Sequence, residues 1–226
     1  MHPEEGAISP SEFIPLAEES HMIVDLGAWV IEKACEDLCG ILDRGLHPGP
    51  VSVNVSARQL RESDFRQAVM ERIRRFGIHP GYLQLEVTET AVAQNRDTAI
   101  ALLESLRNDG VRVAIDDFGT GYSSLSYLQQ MPFDVIKIDR SFVEKIGSND
   151  TSDNICRTVI RMAEELGKNS IAEGVESNRQ VDFLRKNGCN LAQGFFYSHA
   201  LPRDEFYEFV QKQDFHTQRR KALEIL

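Results

Sequence analysis

Short apolar runs that begin near Val51, Tyr82, Val111, Asp134, Asn169 and Leu191 recur about every 28 residues, and amphipathic helical segments fill the intervals. That repeat is the length of one strand-helix unit joined by short loops. Four of the helical segments stop at a glycine, namely Gly77, Gly110, Gly167 and Gly188, and a new strand starts within a few residues. Glycine just past a helix supplies the left-handed residue that turns the chain back into a strand. Six consecutive βα units predict an α/β fold with a parallel sheet covered by helices, either doubly wound or a (β/α) barrel.

The segment before the repeat reads as helix. Ser9 is a candidate N-cap with Pro10 at the first helical position and Glu12 placed to complete a capping box. From Ile23 the apolar positions Leu26, Val30, Ile31, Ala34, Leu38, Ile41 and Leu42 follow a 3.6-residue period and predict a long helix ending near Gly45. The expected organisation is a single domain over residues 1–226, with N-terminal helices at 1–50, six βα units at 51–212 and a C-terminal tail at 213–226.

Composition narrows the partners. With 35 acidic against 25 basic side chains the net charge is −10, which argues against a duplex nucleic acid held by phosphate neutralisation. No apolar run approaches the roughly 18 residues that span a bilayer, and the acidic start lacks the basic character of a secretory signal, so the cytoplasm is the expected location. Cys35, Cys39, Cys156 and Cys189 are too scattered for a disulfide framework. Cys35 and Cys39 share a helix face and are expected to be a reduced packing pair.

Each apolar run ends in a polar residue: Asn54, Glu86, the pair Asp116 and Asp117, Lys137 with Asp139, Glu173, and Gln193. One such residue could be a helix cap or a satisfied buried group. Six in succession point to a site, because strand C-termini of α/β folds converge on one face and an unpaired buried carboxylate costs several kcal/mol. Asn54, Glu86, Asp116 and Asp117 offer only hard oxygen ligands, which select Mg²⁺ or Mn²⁺ over zinc. Lys137 supplies a positive charge for a phosphate oxygen or orders an attacking water, and Glu173 is placed to bind metal or to take a proton. The glycines of residues 117–125, directly after the aspartates, suggest a loop that helps hold metal or substrate.

At these residues the chain resembles the EAL-domain family of cyclic di-GMP phosphodiesterases. The matching blocks are residues 8–19, 53–59 (VNVSARQ), 85–90 (LEVTET), 115–128 (IDDFGTGYSSLSYL), 136–142 (IKIDRSF), 172–176 (AEGVE) and 193–196 (QGFF). The resemblance implies a modified TIM-like barrel and hydrolysis of cyclic di-GMP to linear pGpG with Mg²⁺ or Mn²⁺ in a two-metal site. It places Asn54, Glu86, Asp116, Asp117 and Glu173 on metal-ligand positions. Lys137 falls beside the attacking water, Glu173 matches the general base, and Glu89 matches the residue that steadies the loop after the aspartates. Glu176, Gln193 and Asp139 fall at further active-site positions. Sensory or GGDEF-type domains in a longer protein, or a homodimer, are the implied partners.

One departure is large. The Glu-Ala-Leu signature that names the family, whose glutamate is a further metal ligand there, occurs nowhere in the 226 residues. In the family pattern it precedes a His-Pro-x-x-Gly segment, here residues 2–6. The expectation is therefore a fragment that lacks the first two strands of the barrel and leaves sheet edges open to pairing or swapping. Two other functions stay open. One is a module that binds cyclic di-GMP or a protein without turnover. The other is a Schiff-base lyase using Lys137, disfavoured because neighbouring carboxylates would keep that lysine protonated.

Overall fold

The computed structural model describes residues 8–119, 128 and 130–212. The six strands are β1 (Val51–Asn54), β2 (Leu83–Thr88), β3 (Arg112–Phe118), β4 (Val135–Ile138), β5 (Asn169–Ala172) and β6 (Leu191–Ala192). Each begins within one residue of the position expected from the sequence. All pairings are parallel, and the strand order equals the chain order. Right-handed crossovers that always step in one direction lay every helix on the same face of the sheet. That is the winding of a barrel, so the doubly wound alternative is set aside and the strands form an open part of a TIM-like barrel.

The helices are α1 (Pro10–Glu19), α2 (Met22–Leu42), α3 (Phe65–Arg75), α4 (Glu89–Ala93), α5 (Arg96–Asn108), α6 (Arg140–Val143), α7 (Asp150–Glu165) and α8 (Asn178–Lys186). Their inward stripes recur at three- and four-residue spacing: Ile31, Cys35 and Leu38 on α2, Ala99, Leu103 and Leu106 on α5, and Cys156, Val159, Ile160 and Ala163 on α7. These join Leu85, Val113, Ile115 and Ile136 of the sheet in one core. Strand β4 is buried at all four positions, an apolar run interrupted by Lys137, and β2 is buried at five of six, with Gln84 and Glu86 alternating with Leu83, Leu85 and Val87.

The glycine stops share one geometry. Gly77, Gly110, Gly167 and Gly188 have φ of +64°, +94°, +66° and +94°. The residue after each donates its N–H five residues back, from Ile78 to Ile73, Val111 to Leu106, Lys168 to Ala163 and Cys189 to Leu184, at 2.8–3.2 Å. This Schellman closure ends the helix ahead of β2, β3, β5 and β6, and the parallel pairing points every strand's C-terminal end to the same side of the sheet.

The start of the chain departs from expectation at one point. Ser9 caps α1 with Pro10 following, but its hydroxyl accepts from the Ser11 N–H at 3.4 Å rather than entering a capping box with Glu12. A complete box forms instead at Ser177 and Gln180, ahead of α8. Residues 203–212 are helical and pack on the end of α2 through Tyr207, Ile41 and Leu46, with Arg44 over the Tyr207 ring at 4.2 Å. The expected tail at 213–226 lies outside the described residues. Among the described residues β1 and β6 each have one paired neighbour, and no helix is long and apolar enough to cross a membrane. The four cysteines are free, and burial pushes the Cys35 thiol up to about 11 and that of Cys156 to about 12, consistent with packing roles.

On the opposite face, away from the strand C-termini, Asp134 ties three elements together. It accepts from Arg107 Nη2 at 2.6 Å and from the Val113 N–H at 3.0 Å. Burial alone would raise its pKa, but Arg107 and the backbone donor outweigh that and hold the carboxyl below its ordinary range. Asp134→Ala is expected to cost about 1–3 kcal/mol, read as a lower urea midpoint at neutral pH. A lowered folded pKa contributes stability above the unfolded value, so the gap to wild type should close as pH falls below about 3.9. An unchanged midpoint would contradict this account of the anchor.

Candidate functional site

Lys137 sits in the middle of β4 with its side chain only 5% exposed, and its Nζ donates to three carboxylates. The acceptors are Glu86 Oε2 of β2 at 2.5 Å, Glu173 Oε1 just past β5 at 2.7 Å, and Asp116 Oδ1 of β3 at 2.9 Å. Register explains the convergence. Thr88 is level with Asp116, Ile115 with Ile136, and Ile138 with Ala172, so the four side chains gather at one end of the sheet. Burial by itself would lower the pKa of Lys137, but the carboxylates, Glu86 foremost, overcome it and hold the ammonium above its ordinary value. A lysine held charged is no Schiff-base nucleophile, which argues against the lyase reading.

Adjacent residues of a regular strand point to opposite faces, yet both aspartates of β3 face the site. The β3 register against β4 shifts between Ile115 and Phe118, and Asp117 adopts φ +53°. That left-handed conformation costs a non-glycine residue roughly 1–2 kcal/mol and is tolerated best by Asn and Asp. The Asp116 carboxylate accepts the Asp117 N–H at 3.0 Å. As a result, oxygens of Asp116, Asp117 and Glu173 lie within 4.8 Å of one another. Burial, followed by the charges of Asp116 and Asp139, pushes the Asp117 carboxyl upward. Burial likewise raises Glu173, against the opposing pull of Lys137. Four carboxylates face one ammonium, and three hard oxygens close together suit Mg²⁺ or Mn²⁺.

The other expected residues surround this cluster unevenly. Asn54 ends β1 level with Glu86, and both line a cavity of about 510 Å³ between the sheet edge and the first two helices. Asp139 caps α6, accepting from the N–H of Ser141 at 2.9 Å and from its hydroxyl, and its charge is one of those that push the Asp117 carboxyl upward. Glu176 turns outward to Arg140 at 3.1 Å. Gln193 is exposed, and its backbone carbonyl accepts from Val175 N–H at 3.0 Å while Val175 O accepts from Phe196 N–H at 2.9 Å. Gly194 makes this zipper possible, since a Cβ there would lie 2.2 Å from the Val175 carbonyl oxygen. Glu89 opens α4 next to Thr88, but most of the loop it is expected to steady, residues 120–125 of 117–125, lies outside the described residues. The sequence reading passed over Ser141 and Arg140. The only trace of either is its place in the IKIDRSF block, one and two positions after Asp139.

Comparison with known proteins agrees with this geometry. A model described as the EAL domain matches residues 1–200. The chain is 42% identical over 210 residues to the cyclic di-GMP phosphodiesterase NbdA of Pseudomonas aeruginosa, covering 93% of this chain and 27% of that protein. It is 37% identical over 209 residues to the bifunctional diguanylate cyclase/cyclic di-GMP phosphodiesterase MucR of the same organism, covering 92% and 30%. The chain thus spans less than a third of the length of these curated relatives. The solved PaMucR phosphodiesterase in complex with c-di-GMP superposes with a TM-score of 0.86 at 37% identity, covering 91% of this chain and 83% of that one. A barrel sheet whose strand ends gather acidic side chains around one lysine, and a family match that runs through all six strands, lead to the same conclusion: the chain belongs to the EAL domain family.

Proposed function

We propose that the site hydrolyses one phosphodiester of cyclic di-GMP to give linear pGpG. The observation that carries the reading is the gathering of Asp116, Asp117 and Glu173 within 4.8 Å of one another, with Lys137 Nζ between Asp116 and Glu173. Asp116, Asp117 and Glu173 would hold divalent ions, Mg²⁺ or Mn²⁺, with Glu86 and Asn54 completing the donor set. Bound there, such ions would lower the pKa of water and stabilise charge on phosphoryl oxygens. The chain's own groups divide the remaining work. Glu173, its pKa raised by burial, accepts the proton of the attacking water as the new P–O bond forms and one ester bond breaks. Lys137 steadies the carboxylates and meets the developing negative charge on phosphate. The proposal places this activity in the cytoplasm and joins it, as in the bifunctional MucR, to partner domains on one polypeptide.

Two arms test the proposal and separate it from ligand recognition without turnover. Mn²⁺ or Mg²⁺ should raise the melting temperature of the chain, since an ion that binds only the folded state at a hundred times its Kd adds about 2.7 kcal/mol. Cyclic di-GMP titrated calorimetrically should bind with metal present and lose most of its affinity in EDTA. Tight binding in EDTA with no metal-dependent shift would favour a receptor module. No response to metal or dinucleotide would overturn the assignment.

A further inference from the structure

The acidic cluster depends on Glu173, which stands at the head of an irregular segment, residues 173–176, rather than inside a strand. Three backbone N–H groups tether that segment: Glu173 to the Ile138 carbonyl at 3.1 Å, Val175 to Gln193 at 3.0 Å, and Glu176 to the Gln180 side chain at 2.8 Å. Gly174 between them has φ +67° and is roofed by Arg140, whose Cγ would lie 2.3 Å from a Cβ at that position. The same side chain reaches on to Glu176, Nη2 to Oε1 at 3.1 Å, and lies 3.8 Å from Glu144.

Arg140 also directly follows Asp139, whose charge acts on Asp117. One residue therefore spans the loop after β4 and the loop after β5. Its stem packs on the peptide next to Glu173, and its guanidinium ties the far end of the segment. The ion pair itself is weak in energy, because both partners are about half exposed and solvent screens them. Its value is geometric, fixing a ligand-bearing turn much as outer partners orient the residues that hold a metal.

We propose that Arg140 is a positioning residue that clamps residues 173–176 and sets Glu173 against Asp116 and Asp117. The assignment rests on the metal-dependent reading of the site for its affinity arm and on the structure alone for its backbone arm. Arg140→Ala removes stem and guanidinium together. Arg140→Lys keeps a stem over Gly174 and a cation near Glu176.

The test uses the whole chain with Mn²⁺ as the probe, measuring affinity by calorimetry, melting temperature in EDTA, and amide exchange of residues 173–177. Arg140→Ala should weaken Mn²⁺ binding about tenfold and speed exchange at Val175 and Glu176, with an unchanged melting temperature in EDTA. Arg140→Lys should recover most of both. Exchange in Arg140→Ala equal to wild type overturns the clamp whatever the metal result. So does a fall in melting temperature that Lys does not rescue, since that marks a general structural role. A wild-type chain that binds no Mn²⁺ defeats the metal reading of the site, and the exchange arm then decides the clamp by itself.

Discussion

Glu173→Gln should lower kcat for cyclic di-GMP by about 10²- to 10⁴-fold, the range typical of removing a general base, while dinucleotide affinity stays within a few-fold of wild type. The substitution is nearly isosteric. The amide oxygen can still accept from Lys137 Nζ, now 2.7 Å from Glu173 Oε1, so the backbone and the neighbouring carboxylates keep their places. What disappears is a group able to take a proton, together with one negative charge beside Asp116 and Asp117. The split between kcat and binding is the informative readout, because a collapsed site would lose both. Rates equal to wild type would remove Glu173 from the chemistry.

Lys137→Met should have the largest effect on stability, and metal should reverse much of it. In the metal-free chain Lys137 is the cation shared by Glu86, Asp116 and Glu173, whose side chains are only 6%, 12% and 18% exposed. Methionine preserves much of the volume but strands those charges, and breaking a buried pair from one side costs about 3–5 kcal/mol. The urea midpoint in EDTA should fall accordingly. Saturating Mn²⁺ should restore more of the stability in Lys137→Met than it adds to wild type, because the ion supplies the missing positive charge. A variant as stable as wild type in EDTA would mean that the carboxylates do not depend on Lys137.

The division between what the residues announce and what they conceal follows from range. The six strand starts and the glycine stops were legible because each is written in a few adjacent residues: an apolar run, then a glycine whose N-terminal helix closes on itself. The barrel winding was legible only through the family resemblance, since doubly wound and singly wound sheets share the same βα repeat and differ only in which strands meet. The polar strand ends identified Glu86, Asp116, Lys137 and Glu173 as a group, and three carboxylates do meet the one ammonium. The β3 register shift and the left-handed Asp117 were hidden, because a strand pattern predicts that neighbouring aspartates face apart. Arg140 was hidden for a related reason. Its partners Gly174 and Glu176 are more than thirty residues away in the chain and adjacent only once β4 and β5 pair. The Ser9 capping box shows the converse limit, where a matching local motif is present but its hydroxyl turns to the nearer Ser11 N–H.

Cleavage of a cyclic di-GMP phosphodiester by water activated at the acidic cluster is the step on which the proposed function turns. Its most direct measurement is incubation of the chain with cyclic di-GMP and Mn²⁺ or Mg²⁺ in ¹⁸O-labelled water, followed by chromatography and mass spectrometry. Wild type should form linear pGpG carrying a single ¹⁸O on its terminal phosphate, at a rate abolished by EDTA and lowered at least about a hundredfold by Glu173→Gln. Unreacted cyclic di-GMP under saturating metal, or a linear product without the label on phosphate, would contradict it.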